Sequence, residues 1–152
     1  MKIRPMRKRD VGYVAKNLRS ADLAELQAVA GYGDKEAIKE ILMSGMDGAE
    51  ALTIEGPSGK PCAILGLFPT PQFNVVWLVG TDEVQQARVF IMRECKRLVR
   101  EWYAEYGTLG NAMWEHNKLH REWAIALGFE FTGETFLVGP LWFHRFLYRY
   151  AN

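Results

Sequence analysis

The run FNVVWLVG at residues 73–80 constrains the fold more than any other stretch of this chain. Its apolar residues are consecutive rather than alternating, and Val, Trp and Phe favour extended backbone. It therefore reads as a central strand covered on both faces. The segment that follows, residues 83–106, reads as the longest helix. Its stripe Val84, Ala87, Ile91, Cys95, Leu98 and Trp102 recurs at helical spacing and predicts one buried face, and Gly107 ends it. A central strand feeding a long amphipathic helix calls for a layered domain with helices packed on a sheet.

The rest of the chain fits that scheme. Residues 1–5 read as a short strand stopped at Pro5. Helices are expected from about Asp10 to Leu18, from Ser20 to Ala30 with Ser20 as N-cap, and over 34–44. Residues 49–55 and 61–68 are strand-like runs joined by GPSGK, a hairpin signature. Residues 108–114 read as a strand, and 118–127 as a helix with Asn117 as N-cap and Gly128 as its stop. Residues 129–134 and 141–150 complete a last hairpin through 135–140. The final strand alternates Trp142, His144, Phe146 and Tyr148 against Phe143, Arg145, Leu147 and Arg149. The expected fold class is therefore α/β in the α+β sense, a mostly antiparallel mixed sheet of about six to seven strands flanked by helices.

The chain has 152 residues and no repeat or linker, so it is expected to form one domain, residues 1–152. It is 49% hydrophobic and 24% charged, in the globular range. Net charge is +1, without the basic excess that marks a nucleic-acid binder. No apolar run approaches a membrane span, and the basic start MKIRPMRKRD is not followed by the apolar stretch of a signal peptide. The two cysteines, Cys62 and Cys95, lie in apolar patterns without metal-ligand spacing and are expected as buried free thiols of an intracellular protein.

Three local patterns carry a resemblance. They are Ile3-Arg4-Pro5 followed by Asp10, the strand 73–80 followed by the long helix, and Asn117 with Leu127-Gly128-Phe129 closing the same helix. Together with the element order they resemble the GNAT (general N-acetyltransferase) superfamily over nearly the whole chain. NLRSADLAEL (17–26), LGNAMWEHNKLHREWAIALGF (109–129) and the terminal aromatic strand are similar to the GNAT-like proteins of short-tailed bacteriophages, the family that includes internal virion protein A. The resemblance implies acetyl-CoA as cofactor and a phage product in the bacterial host cytoplasm. It implies either acetyl transfer to a host protein or small amine, or weakened transfer with the fold acting through protein contacts in virion morphogenesis or host takeover. A protein partner, phage or host, is expected; a homo-oligomer through an edge strand is a further candidate, and membrane and nucleic acid are not expected.

The same resemblance places cofactor contacts on Trp77, Leu78 and Val79 of the strand, on Gln85, Gln86 and Arg88 at the helix entry, and on Asn117. Superfamily enzymes carry a glycine-containing turn at that entry; here the segment is TDEVQQAR, without a glycine after Gly80 and with Asp82 and Glu83. Many members also keep a tyrosine where this chain has Ala124. His120, one turn earlier, is the candidate acid or base in its place, because imidazole titrates near neutrality. Glu25 is the candidate base by family position, beside Asp22, against the alternative of a solvated helix face. His116 and His120 invite a zinc reading, but an N-cap at Asn117 leaves His116 outside the helix and His144 is far along the chain, so no metal is expected. Arg93, Arg97 and Arg100 form a ridge interleaved with Glu94 and Glu101 and read as a solvated face. The five tryptophans read mostly as core.

Overall fold

A computed structural model describes residues 1–149. The elements in chain order are β1 (Lys2–Pro5), α1 (Lys8–Lys16), α2 (Ser20–Val29), α3 (Lys35–Ser44), β2 (Glu50–Glu55), β3 (Pro61–Pro69), β4 (Asn74–Gly80), α4 (Arg88–Tyr106), β5 (Leu109–Trp114), α5 (Lys118–Leu127), β6 (Glu130–Val138) and β7 (Leu141–Tyr148). The strands form one sheet in the order β1-β2-β3-β4-β5-β7-β6. Neighbours are antiparallel except β4 and β5, which are parallel. The expected mixed sheet flanked by helices is what the chain builds.

Strand alternation divides the core between two faces. Leu65 and Leu67 of β3 pack with Ile91, Cys95, Leu98 and Trp102 of α4. Ile64 and Val79 pack on the other face with Val11 and Val14 of α1, Leu26 of α2, and Ile38 and Leu42 of α3. The indole of Trp77 lies on that second face, over Gly45 and Gly66. A Cβ at Gly66 would come within 2.3 Å of the Glu50 carbonyl oxygen, so only glycine fits there.

Several boundaries differ from the sequence expectation for local reasons. The long helix opens at Arg88, not 83. Residues Asp82–Gln85 form a 3-10 turn, with the Thr81 hydroxyl accepting from the Glu83 N–H. Val84 and Ala87 are both fully buried, and their spacing of three suits that tighter turn as well as an α-helix. α2 is preceded by Arg19 in extended conformation, and Ser20 is its first helical residue rather than its cap. α1 begins at Lys8, because the Asp10 carboxylate turns back to accept the Arg7 N–H at 2.8 Å. The last hairpin turns tightly between Val138 and Leu141, and β6 runs past Gly133 through an irregularity between Phe131 and Thr135. β7 lies between β5 and β6, so the final strand is not an edge; the edges are β1 and β6. Trp102 is buried, whereas Trp142 is exposed. Tyr150, expected at the end of the final strand, lies outside the described residues. Arg97 on the basic ridge pairs with Glu94 and Glu101, as a solvated face would.

The join of β1 to α1 is an ionic knot. Asp10 is 1% exposed and accepts from Arg4 at 2.8 and 2.9 Å, the Arg7 N–H at 2.8 Å and the Thr53 hydroxyl at 2.9 Å. Burial pushes its pKa up, but these donors outweigh burial and hold it at about 2. Because the folded value lies below the unfolded one, the knot stabilises fully above the unfolded value and weakens as pH falls through about 2. Asp10→Ala is expected to cost ~2–3 kcal/mol near neutral pH in urea denaturation, because it orphans Thr53 and half of Arg4 while Arg4 keeps Glu55 at 2.6 Å. The variant should also lose less stability than the parent on acidification.

Candidate active site

The parallel pair β4–β5 is joined only at its start, with Asn74 opposite Leu109 and Val75 opposite Gly110. Beyond that point the strands part and open a wedge through the sheet. The Asn111 side chain bridges the first gap, donating to the Val76 carbonyl at 2.8 Å and accepting the Ala112 N–H at 2.7 Å. On its other side β4 is paired to β3, and the Thr81 N–H donates to the Cys62 carbonyl. Antiparallel alternation then commits the backbone groups of Val79 and Trp77 to β3 and turns those of Gly80, Leu78 and Val76 into the wedge. Leu78 thus presents an N–H and a C=O with no strand opposite.

The far end of the wedge is closed by the connection into α2. The Gly80 N–H donates to Asp22 Oδ2 at 2.9 Å, and the Gly80 carbonyl accepts the Arg19 N–H at 2.9 Å. Asp22 is fully buried. Its Oδ1 accepts from Arg19 Nη1 at 3.0 Å and Asn117 Nδ2 at 3.2 Å. Asn117, also fully buried, donates to Glu25 Oε1 at 2.9 Å, and the Trp114 N–H donates to the same oxygen at 3.1 Å. Two helices and the ends of two parted strands therefore meet in one polar cluster.

Glu25 faces a cleft of ≈ 420 Å³ that runs through the wedge. Burial pushes its pKa up; the Asn117 and Trp114 donors pull it down and the Asp22 charge pushes it up again, for a value of about 7. His120 stands beside it on α5, with Nδ1 3.6 Å from Asp22 Oδ1 and Nε2 3.4 Å from Arg19 Nη1, its ring stacked on Trp123. Asn117 Nδ2 lies 3.3 Å from the same Nδ1, so two donor groups and the Asp22 carboxylate enclose the ring. Burial pushes the imidazole pKa below its ordinary value.

α4 lines the same cleft from Met92 onward and begins, one turn earlier, without a side-chain cap. Its first intrahelical acceptor is the Ala87 carbonyl, which binds the Ile91 N–H, leaving the N–H groups of Arg88, Val89 and Phe90 free of helix partners. Gln85, Gln86 and Arg88 are exposed around that start. The Glu83 carboxylate is drawn off to the Ser58 hydroxyl at 2.9 Å.

The architecture now matches known structures. No protein-family model and no curated protein sequence matches the chain, but many solved structures do. The ribosomal-protein-alanine N-acetyltransferase of Brucella melitensis superposes with a TM-score of 0.69 at 14% identity, over 99% of this chain and 100% of that one. An acetyltransferase from Agrobacterium tumefaciens str. C58 gives 0.69 at 15% identity, over 97% and 90%. A GNAT-family acetyltransferase from Bacillus anthracis gives 0.66 at 11% identity, over 96% and 91%. The chain has the GNAT acetyltransferase fold.

Within that fold the sequence-derived site residues separate. Glu25, His120, Trp77, Leu78 and Val79 all line the cleft. Of the three strand residues, only Leu78 turns its backbone into the wedge. Asn117, expected among cofactor contacts, is instead consumed in holding Glu25 and Asp22, and it caps α5 through the His120 N–H. Asp22 is fully buried and Glu25 half-buried, and both are bonded inside the cluster rather than set on a solvated face. Ala124, at the position where the sequence resemblance implies a tyrosine in many members, is buried against the cleft. The expected helix stop is present, with Gly128 at φ 99 and the Phe129 N–H bonded to the Ala124 carbonyl at 2.9 Å. His116 lies outside α5 and pairs with Glu115 at 3.3 Å, and no three His, Cys, Asp or Glu side chains converge as a metal-binding group among the described residues. Cys62 and Cys95 are buried free thiols. No described helix is long and apolar enough to cross a membrane. Sequence reasoning missed Arg19 entirely.

Proposed function

We propose that this chain is an N-acyltransferase that moves an acyl group, acetyl above all, from a coenzyme A thioester to a primary amine, with Glu25 as the base. The observation that carries this reading is Glu25 itself. Its carboxylate is fixed by two donors at the mouth of the wedge, and its pKa of about 7 suits a base working near neutrality. Leu78 offers the paired N–H and C=O that an amide-bearing arm requires. The uncapped start of α4 offers free N–H groups to a phosphate, with Gln85, Gln86 and Arg88 around it, and only Asp82 remains there as an uncommitted carboxylate. The residues present therefore fit acetyl-CoA without the glycine turn. Bound there, the thioester would supply the electrophilic carbonyl and the leaving thiolate. Glu25 takes a proton from the attacking amine, and Asn117 and the Trp114 N–H hold it in line. His120 packs against Asp22 and Arg19 and helps to hold that pair in place.

A second reading has specific support. Ala124 leaves no hydroxyl to protonate the departing sulfur, and the α4 entry lacks glycine. These favour a fold with weakened transfer, kept for protein contacts, in the phage and host setting to which the sequence resemblance points.

Acetyl-CoA titration separates the two. Binding at a hundred times its Kd should raise stability by ~2.7 kcal/mol in a thermal-shift or calorimetric assay. Gln86→Ala and Arg88→Ala should each weaken that binding. No stabilisation at millimolar acetyl-CoA sinks the enzyme reading.

A further inference from the structure

The cleft carries only one permanent charge, and it sits on the acceptor side. Met113 of β5 belongs to the core beneath α4, so Ala112 and Trp114 face the opposite side of the sheet, toward α2. Their partners across the ladder are Arg145 and Phe143, and Phe143 is opposite Phe136 on β6. Glu25, Val29, Phe136, Phe143 and Arg145 thus wall the half of the cleft that faces α2. Glu25 and His120 are the other titratable groups in the cleft apart from the Cys95 thiol, and burial pushes the His120 pKa below its ordinary value.

Arg145 is held by ring stacking as well as by one ion pair to an exposed carboxylate. Its guanidinium lies over the rings of Phe73 at 5.0 Å and Phe136 at 5.2 Å, which fix its plane. Its one hydrogen bond runs from Nε to Glu134 Oε2 at 3.3 Å, and that glutamate is 60% exposed. Both terminal Nη groups are without a protein partner among the described residues. An arginine that is stacked, partly desolvated and free at its forked end is a receptor for a carboxylate or similar anion.

We propose that the acceptor is a primary amine that also bears a carboxylate, its nitrogen at Glu25 and its carboxylate on Arg145. This rests on the N-acyltransfer reading above. Glu25 is anchored at the Trp114 N–H and Arg145 is opposite Ala112, two residues earlier on β5, so both groups stand on the same wall of the cleft. An N-terminal residue followed by an acidic one carries both the amine and the carboxylate. Val29, Phe136 and Phe143 supply an apolar wall for the side chain between. Polycationic amines are disfavoured, because Arg145 repels them and Glu25 is the one carboxylate lining the cleft among the described residues.

The test compares Ala-Glu-amide with Ala-Gln-amide, which differ only in the carboxylate. In acetyl transfer the acidic peptide should have the higher kcat/KM. Arg145→Gln should lower its kcat/KM about 10- to 100-fold, the range of a charge-assisted hydrogen bond, and that of the neutral peptide by a much smaller factor. Glu134→Gln, which removes the competing carboxylate, should improve the acidic peptide by up to about fivefold, a gain that damaged folding does not produce. NMR titration of both peptides into the protein without acetyl-CoA reads the same preference independently of catalysis. Equal binding of the two peptides, or equal loss of both in Arg145→Gln, overturns the proposal. Selective binding of the acidic peptide alongside failed acetyl-CoA titration upholds the anion site and overturns acyl transfer.

Discussion

Glu25→Gln is expected to lower turnover about 10²- to 10⁴-fold while making the protein more stable at mildly alkaline pH. The two effects have one cause. In the fold, the Glu25 carboxyl is pushed up to about 7, first by burial in the cleft. Between the unfolded value of 4.5 and about 7 the native state holds a proton that the unfolded chain has released. Stability from this site is therefore highest below the unfolded value and falls as pH rises through the folded one. Above that range the buried carboxylate costs on the order of 2–3 kcal/mol, which a neutral amide does not. Glutamine keeps an oxygen for Trp114 and Asn117, so the local frame survives. Chemical denaturation at about pH 8 should show the gain, and at about pH 4 the two proteins should be alike. The parent rate should rise with pH through about 7, where Glu25 ionises, and the residual rate of the variant should follow only ionisation of the acceptor amine. Equal pH profiles in the two proteins would remove Glu25 from the base role.

The fold was legible in the sequence because its signals are local. The consecutive apolar run at 74–80, the helical stripe from Val84 to Trp102, and the Asn117 and Gly128 bounds of α5 each follow from residues a few positions apart. The site was legible only in part, because its geometry depends on what is missing. Asp22 and Glu25 lie three residues apart on a short helix and look like a wet face. They turn inward, Asp22 fully buried and Glu25 half-buried, where Gly80 and Trp114 sit on two diverging parallel strands whose N–H groups need acceptors that no strand supplies. That demand is invisible until the sheet order is known. The same holds for Asn117. Its identity as a cap is a local fact, whereas its two side-chain hydrogens bond carboxylates more than ninety residues away. The setting of the candidate His120 was not legible either, because helix position alone does not reveal that Arg19 and Asp22 close around it.

Asp22 gives the largest expected effect on stability. Asp22→Ala should cost ~3–5 kcal/mol, since it strands the Gly80 N–H and leaves the Arg19 guanidinium buried without its carboxylate. Asp22→Asn should rescue little. The two oxygens face different donors: Oδ2 receives the Gly80 N–H, and Oδ1 receives Arg19 and Asn117. An amide has one acceptor, so either orientation turns an NH₂ group against a donor. The isosteric variant therefore tests charge and acceptor number rather than size. Arg19→Leu combined with Asp22→Leu should cost less than the sum of the single changes, because removing both charges spares the penalty of leaving either alone. Urea denaturation of the four proteins gives the coupling directly. Additive losses would show that the pair does not hold the end of the wedge. A coupling above about 1 kcal/mol, with faster amide exchange at Gly80 in the single variants, would show that the pair keeps β4 open toward the cleft.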